Sequence, residues 1–217
     1  MTRWHCAGMV RDCKPGRMTV MQAESDRDGT GTILAAAARL FVEEGYQAVS
    51  LDRVAREIGA TKGRIYHRWS SKGALLVHVH RVALGRWEAR LDAVPTEAGQ
   101  PLETLCRLAA AHVLAAQADP HGTRLLLGGL DAAVAREPAL ADASAALVEG
   151  LVRQRRRLRR LVIEGQAGGR IVDEPPVLLL HLVWNWLAGF PVAAGPGASP
   201  TVLAEATARL LRRTLEA

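Results

Sequence analysis

Hydrophobic residues recur at spacings of three and four along most of this chain, and the helical periodicity begins just after Gly31. Ile33, Leu34, Ala37, Leu40 and Phe41 form a first apolar stripe, and Gly45 is placed to end that helix. Ser50 is positioned to cap a second helix with the stripe Leu51, Val54, Ala55 and Ile58, and Gly59 stops it. Thr61 opens a third, through about Trp69, with Ile65 and Trp69 facing inward. Ser71 opens a long fourth helix that carries Leu75, Leu76, Val79, Val82, Trp87 and Leu91 towards Pro95. Further helices are predicted over about 102–118, 121–136, 138–166, 175–190 and 200–216, punctuated by Asp119-Pro120, Glu137-Pro138, Gly168-Gly169 and Pro191 through Pro200. No alternating strand pattern and no internal repeat interrupts them. The expected fold is all-α, with about nine helices.

Residues 1–26 show no sustained periodicity and no apolar segment of the kind a secretory signal needs. They are expected to form a flexible leader, and Met18 or Met21 is an alternative start.

Composition agrees with a helical, globular chain of 217 residues, 49% hydrophobic and 23% charged, with only 4% aromatic. Cys6, Cys13 and Cys106 are odd in number and form no CxxC pair, which argues against a disulfide framework or a structural zinc and for a reducing cytoplasm. Charge is more informative once it is placed. The net +6 resides mostly in the first half, where residues 1–95 hold 15 basic against 10 acidic side chains. Between Ser50 and Lys72 the balance is six to two, which suits a polyanionic partner or an exposed helix face.

The spacing within 51–69 is the sharpest signal. A small residue where two helices touch (Ala55), a glycine at the turn (Gly59) and a branched residue in the second helix (Ile65) make a helix-turn-helix or an ordinary αα-corner. Residues without a packing purpose favour the former. Thr61, Lys62 and Tyr66 are phosphate donors, Gly63 permits close backbone approach, Arg64 has a fork suited to guanine edges, and His67 lies on the same exposed face. Ser50, Ser71 and Lys72 sit at helix starts, where free N–H groups attract phosphate.

The stretch ILAAAARLFVEEGYQAVSLDRVAREIGATKGRIYHRWSSKGALL resembles the DNA-binding domain of TetR-type bacterial transcriptional regulators. The resemblance is carried by Leu40-Phe41, Gly45-Tyr46, Ser50, Val54-Ala55, Gly59, Thr61-Lys62-Gly63, Ile65-Tyr66 and Ser71-Lys72. It implies an N-terminal three-helix DNA-binding domain over 27–87, with its helix-turn-helix at about 50–69, and a helical effector-binding and dimerisation domain over 88–217. Thr61, Lys62, Gly63, Tyr66, His67 and Lys72 align with DNA-contacting positions. Two departures are Trp69 in place of the usual Phe and Gly73 where an acidic residue is usual; Gly73 weakens the fourth helix by about 1 kcal/mol relative to a good helix former.

The family pattern also implies a homodimer, double-stranded operator DNA as partner and a small-molecule effector of unknown identity. The apolar run Val177–Ala194 is too short before Pro191 to span a bilayer, so no membrane partner is expected; it must be buried between protein surfaces. The expected dimer seam uses Leu180, Trp186, Leu187, Leu203, Leu210 and Leu211, with Trp184 beside it; burial inside one chain is the alternative. An apolar pocket is expected from Trp87, Leu91, Leu105, Leu108, Leu126 and Leu130, with His112, Trp184 and Asn185 as polar anchors.

The arginine run Arg153, Arg155, Arg156, Arg157, Arg159 and Arg160 reads as a solvated helix face or a second nucleic-acid surface. His112 and His181 read as core histidines or ligand contacts. His78 and His80, two apart, point to different sides of a helix and do not make a metal pair. Without GxSxG, HExxH or a phosphate-binding glycine loop, no catalytic residue, cofactor or metal is expected. A helical protein-protein adaptor, or an enzyme without DNA binding, is the competing reading.

Overall fold

The computed structural model describes the backbone of residues 29–193 and 199–217, and side chains except over 187–193. The expected leader therefore lies outside the described residues. Among the described residues ten α-helices follow one another: α1 (Thr30–Glu43), α2 (Leu51–Glu57), α3 (Lys62–Tyr66), α4 (Lys72–Asp92), α5 (Pro101–Ala118), α6 (Pro120–Gly128), α7 (Ala132–Ala135), α8 (Ala141–Ala167), α9 (Pro176–Ala193) and α10 (Pro200–Leu215). Among the described residues there is no strand beyond an isolated bridge between Ile171 and Glu216.

The count exceeds the nine expected because the 121–136 segment is two helices. Asp119 starts the first by accepting the Gly122 N–H at 2.9 Å, with Pro120 in the first turn. Gly129 then takes φ 82°, a left-handed conformation that ends the helix, and Asp131 caps α7 by accepting from Ala133 N at 2.8 Å. The helix expected over 138–166 likewise opens with a short 3-10 turn, Pro138–Leu140, before α8.

The chain divides into two compact units that alternate along the sequence. Among the described residues, one unit comprises 29–86 with 119–151; the other comprises 87–118 with 152–193 and 199–217. In the first, α1 packs on α2 and α6, and α2 on α3. Its core is Ile33, Ala37, Leu40, Val49, Val54, Ala55, Ile65 and Leu75, all essentially without solvent contact. In the second, α10 lies along α5 and α9 packs on α5. Ala204, Thr207, Leu211 and Leu215 face inward from α10, and Leu105, Leu108, His112 and Val113 are buried on α5.

Trp87 and His112 satisfy each other inside this second core, the indole Nε1 donating to Nδ1 at 3.0 Å with the rings edge to face. Arg157 closes the far end of α4 by donating to the Leu91 and Val94 carbonyls at 3.0 and 3.3 Å. Arg153 pairs with Glu88 at 2.9 Å, and Arg155 lies 4.7 Å above the Trp184 ring. The arginine run is thus partly spent on packing within its own unit, so it is more than a solvated face.

Cys106 is buried on α5, and burial pushes its thiol up to about 12. In a Cys6→Ser/Cys13→Ser background the native chain should leave a thiol reagent unconsumed at neutral pH, and one thiol should react after denaturation. Fast native labelling would contradict this packing.

Candidate nucleic-acid interface

The reading element is built around a helix of five residues. Ser50, extended at φ −119°, caps α2 by accepting the Arg53 N–H at 3.1 Å, which leaves its own hydroxyl proton free to donate. Gly59, at φ 64°, turns the chain from α2 into α3. Thr61 precedes α3 in an extended conformation, but its side chain makes no cap hydrogen bond, unlike the expected cap. The hydroxyl is exposed instead. Ile65 and Trp69 hold the segment from inside, and Trp69 Nε1 donates to His78 Nδ1 at 3.1 Å.

Outward, Thr61, Lys62, Gly63, Tyr66 and His67 share the exposed surface, with Tyr66 52% exposed. A Cβ on Gly63 would meet nothing within 4 Å, so packing within the chain does not require a glycine there. Glycine costs a helix about 1 kcal/mol relative to alanine, and no contact inside the chain offsets that cost at Gly63.

The cations are not all turned outward. Lys62 pairs with Asp52 at the start of α2. Lys72 donates to the Tyr46 and Gln47 carbonyls at 2.7 and 3.2 Å and sits 4.3 Å over the Tyr46 ring. It ties the α1–α2 turn to the start of α4. Arg64 reaches back to Gly29, its Nη2 lying where a Cβ would stand, and Arg68 donates to the Thr30 hydroxyl. Behind the surface, Arg39 and Arg53 bind Glu43, Glu44 and Glu57 in a lattice that joins α1 to α2. The Arg53 hydrogen bond, with Arg39 nearby, holds Glu57 below the ordinary carboxylate range. Thr30 was not singled out, Arg68 was only counted in the basic balance of Ser50–Lys72, and Tyr46 was flagged only within the Gly45-Tyr46 pair.

The expected pocket residues fall in both units. Trp87, Leu91, Leu105, Leu108 and His112 are buried in the second unit, and Trp184 meets Trp87 edge to face at 6.3 Å. Leu126 is buried and Leu130 half-buried in the first unit, while Asn185 is exposed. His181, read as a core or ligand histidine, is exposed. A shallow depression of about 410 Å³ lies elsewhere, lined by Gly99, Pro101, Glu164, Ala167, Gly168 and Arg170.

Of the expected seam, Leu180, Trp186 and Leu203 are half-buried, Leu210 is exposed, Leu211 is buried in its own unit, and the Leu187 side chain lies outside the described residues. Val177, Leu178, Leu182 and Val202 are also exposed on α9 and α10.

A short, externally polar helix set after a glycine turn defines a helix-turn-helix protein of the DNA-binding class. Residues 33–79 match the family model described as bacterial regulatory proteins, tetR family. Over that stretch the chain has the sequence of a TetR-type DNA-binding segment, and the curated relatives and solved structures that it resembles further along include transcriptional regulators. It is 25% identical over 154 residues to the HTH-type transcriptional regulator HbdR of Aromatoleum sp. (strain CIB), covering 71% of this chain and 65% of that protein. Over 55 residues it is 40% identical to the Transposon Tn10 TetC protein of Escherichia coli, covering 25% of this chain and 28% of that one. These matches thus span less than two thirds of each relative. The TetR family transcriptional regulator PfmR from Thermus thermophilus superposes with a TM-score of 0.66 at 25% identity, covering 85% of this chain and 99% of its own. KstR2 of Mycobacterium tuberculosis, a ketosteroid transcriptional regulator, shares the fold with a TM-score of 0.71 at 19% identity, over 86% of this chain and 94% of its own.

Burial, and then Arg81, hold His78 below its ordinary value, and its neutral Nδ1 must accept the Trp69 proton. A depressed histidine stabilises the fold above the unfolded value of about 6.5, and that stability is lost as pH falls through it towards the folded value. The urea midpoint should therefore drop between about pH 7 and about pH 5, and drop less in His78→Gln, which keeps an acceptor that does not titrate. Equal drops would remove His78 from the account.

Proposed function

We propose that this chain is a cytoplasmic, homodimeric transcriptional repressor that binds a near-palindromic operator and is released by a small hydrophobic effector. The observation that carries the reading is the outward set Thr61, Lys62, Gly63, Tyr66 and His67 on a helix held from inside by Ile65 and Trp69. Hydroxyl and ammonium donors there suit phosphate oxygens, and the short helix suits a major groove. Lys72 and Tyr46 brace the flank, and Ser50 adds a donor. Arg64 reads a base only after leaving Gly29. Two such helices in a twofold dimer address half-sites about 34–36 Å apart or more.

The wild-type chain should enrich a near-palindrome from a randomised duplex pool, with binding that weakens steeply as salt rises. Lys62→Ala and Tyr66→Phe should weaken binding to every duplex by severalfold, and Lys62→Ala should also flatten the salt dependence. Equal retention on all duplexes at moderate salt is the result expected of an adaptor.

The exposed apolar residues Val177, Leu178, Leu182, Val202 and Leu210 on the last two helices support the dimer. Leu182→Asp would place a charge in the seam and should yield monomers by light scattering, with DNA affinity lost. Leu211→Asp instead strikes the chain's own core and should lower its stability. The apolar residues around Trp87, Leu105, Leu108 and His112 are the proposed effector region. Hydrophobic compounds that raise the melting temperature should also release the operator.

A further inference from the structure

Within the unit of residues 29–86 and 119–151, the first turn of α4 meets the connector between α7 and α8. Gly73 is buried there, and a side chain at this position would have to displace the ends of its neighbours' side chains. A Cβ would lie 2.7 Å from Glu137 Oε2, 3.0 Å from Leu140 Cδ1 and 3.5 Å from the Tyr46 hydroxyl. The Glu137 carboxylate thus occupies the space of a residue-73 side chain, at the amino end of a 21-residue helix. Negative charge is stabilised at that end by the unpaired N–H groups and the helix dipole. Ser71 already caps the turn by accepting from Ala74 N at 3.0 Å, so the carboxylate adds to a formed cap.

The same carboxylate acts on Tyr46. Burial first, and then the charges of Asp131 and Glu137, hold the Tyr46 phenol above its ordinary value. It therefore remains a protonated hydroxyl in the field of two carboxylates, and Glu137 Oε2 borders the same space over Gly73 as the hydroxyl does. Tyr46 is in turn the seat of Lys72, through its backbone carbonyl and its ring face, and its ring packs 5.8 Å from Phe41 in the core. A carboxylate has no attraction of its own for a polyanion, and beside a DNA-facing edge it opposes binding. Its placement is explained by what it holds.

We propose that Glu137 is a positioning residue of the DNA interface, its carboxylate seated over Gly73 on the side of the Tyr46 hydroxyl to fix the first turn of α4 and the Lys72 seat. The proposal rests on the DNA-binding reading above, and adds that the reading head depends on the 131–140 connector.

The test uses the full chain and the duplex that the wild-type protein enriches from a randomised pool. Glu137→Gln keeps shape and loses charge. Its affinity should fall on the order of fivefold, the scale of coupling between touching residues, with little change in urea midpoint. A bystander carboxylate predicts the opposite sign, since neutralising it removes repulsion; unchanged or tighter binding overturns the proposal. Gly73→Ala displaces the carboxylate without removing it and should reproduce the loss, although alanine is the better helix former. Wild-type affinity in that variant is equally fatal. In a Tyr46→Phe background the Glu137→Gln loss should vanish, and additive losses would show that Glu137 does not act through Tyr46. The wild-type arm separates the two readings: enrichment of no duplex removes DNA binding itself, and this proposal with it.

Discussion

A five-residue helix cannot support itself in water, because nucleation costs more than so few hydrogen bonds return. The reading element therefore depends on burial of two side chains, Ile65 and Trp69, each contributing about 1.5–3 kcal/mol. Trp69 brings a polar atom inside, and that atom needs an acceptor; His78, in the second turn of α4, supplies it. The outer surface of α3 then need not bury apolar side chains, and polar groups and a glycine occupy it, with Lys62 and Arg64 also reaching neighbouring elements. Apolar anchoring and polar exposure are divided by side of this segment, and the division is possible because the anchor is strong.

The second unit solves a different problem. The carboxyl end of the long α4 leaves carbonyls without intrahelical partners, and Arg157 from α8 donates to one of them, Leu91, and to the Val94 carbonyl just beyond the helix. Trp87 and His112 bury polar ring atoms deep in the core by pairing them. Both devices convert a cost of burial into a fixed register between helices. The surface that remains unmatched is apolar and lies on α9 and α10.

Helix number and order were largely legible, because stripes such as Leu51, Val54 and Ala55 and stops such as Gly59 act locally. What was not legible depends on partners distant in sequence. Leu210 and Leu211 are adjacent on a helix with apolar residues on two sides, and periodicity cannot choose between them. The choice is made by Ala204 and Thr207, small enough to let α10 approach α5, and it turns Leu211 in and Leu210 out. The arginine run looked solvated because Glu88, Trp184 and the Leu91 carbonyl are far away in the chain. Gly73 looked like a weak helix start for the same reason, as Glu137 and Leu140 are what fill its place.

The interleaving of the two units has a consequence for synthesis on the ribosome. Residues 29–86 emerge first but lack α6, which covers α1, until the segment from 119 has been made. Residues 87–118 must in turn wait for α9 and α10, the last helices translated. Neither core can close in the order in which it is synthesised, so the nascent chain carries exposed apolar faces for most of its elongation, a period in which chaperones compete with misassembly.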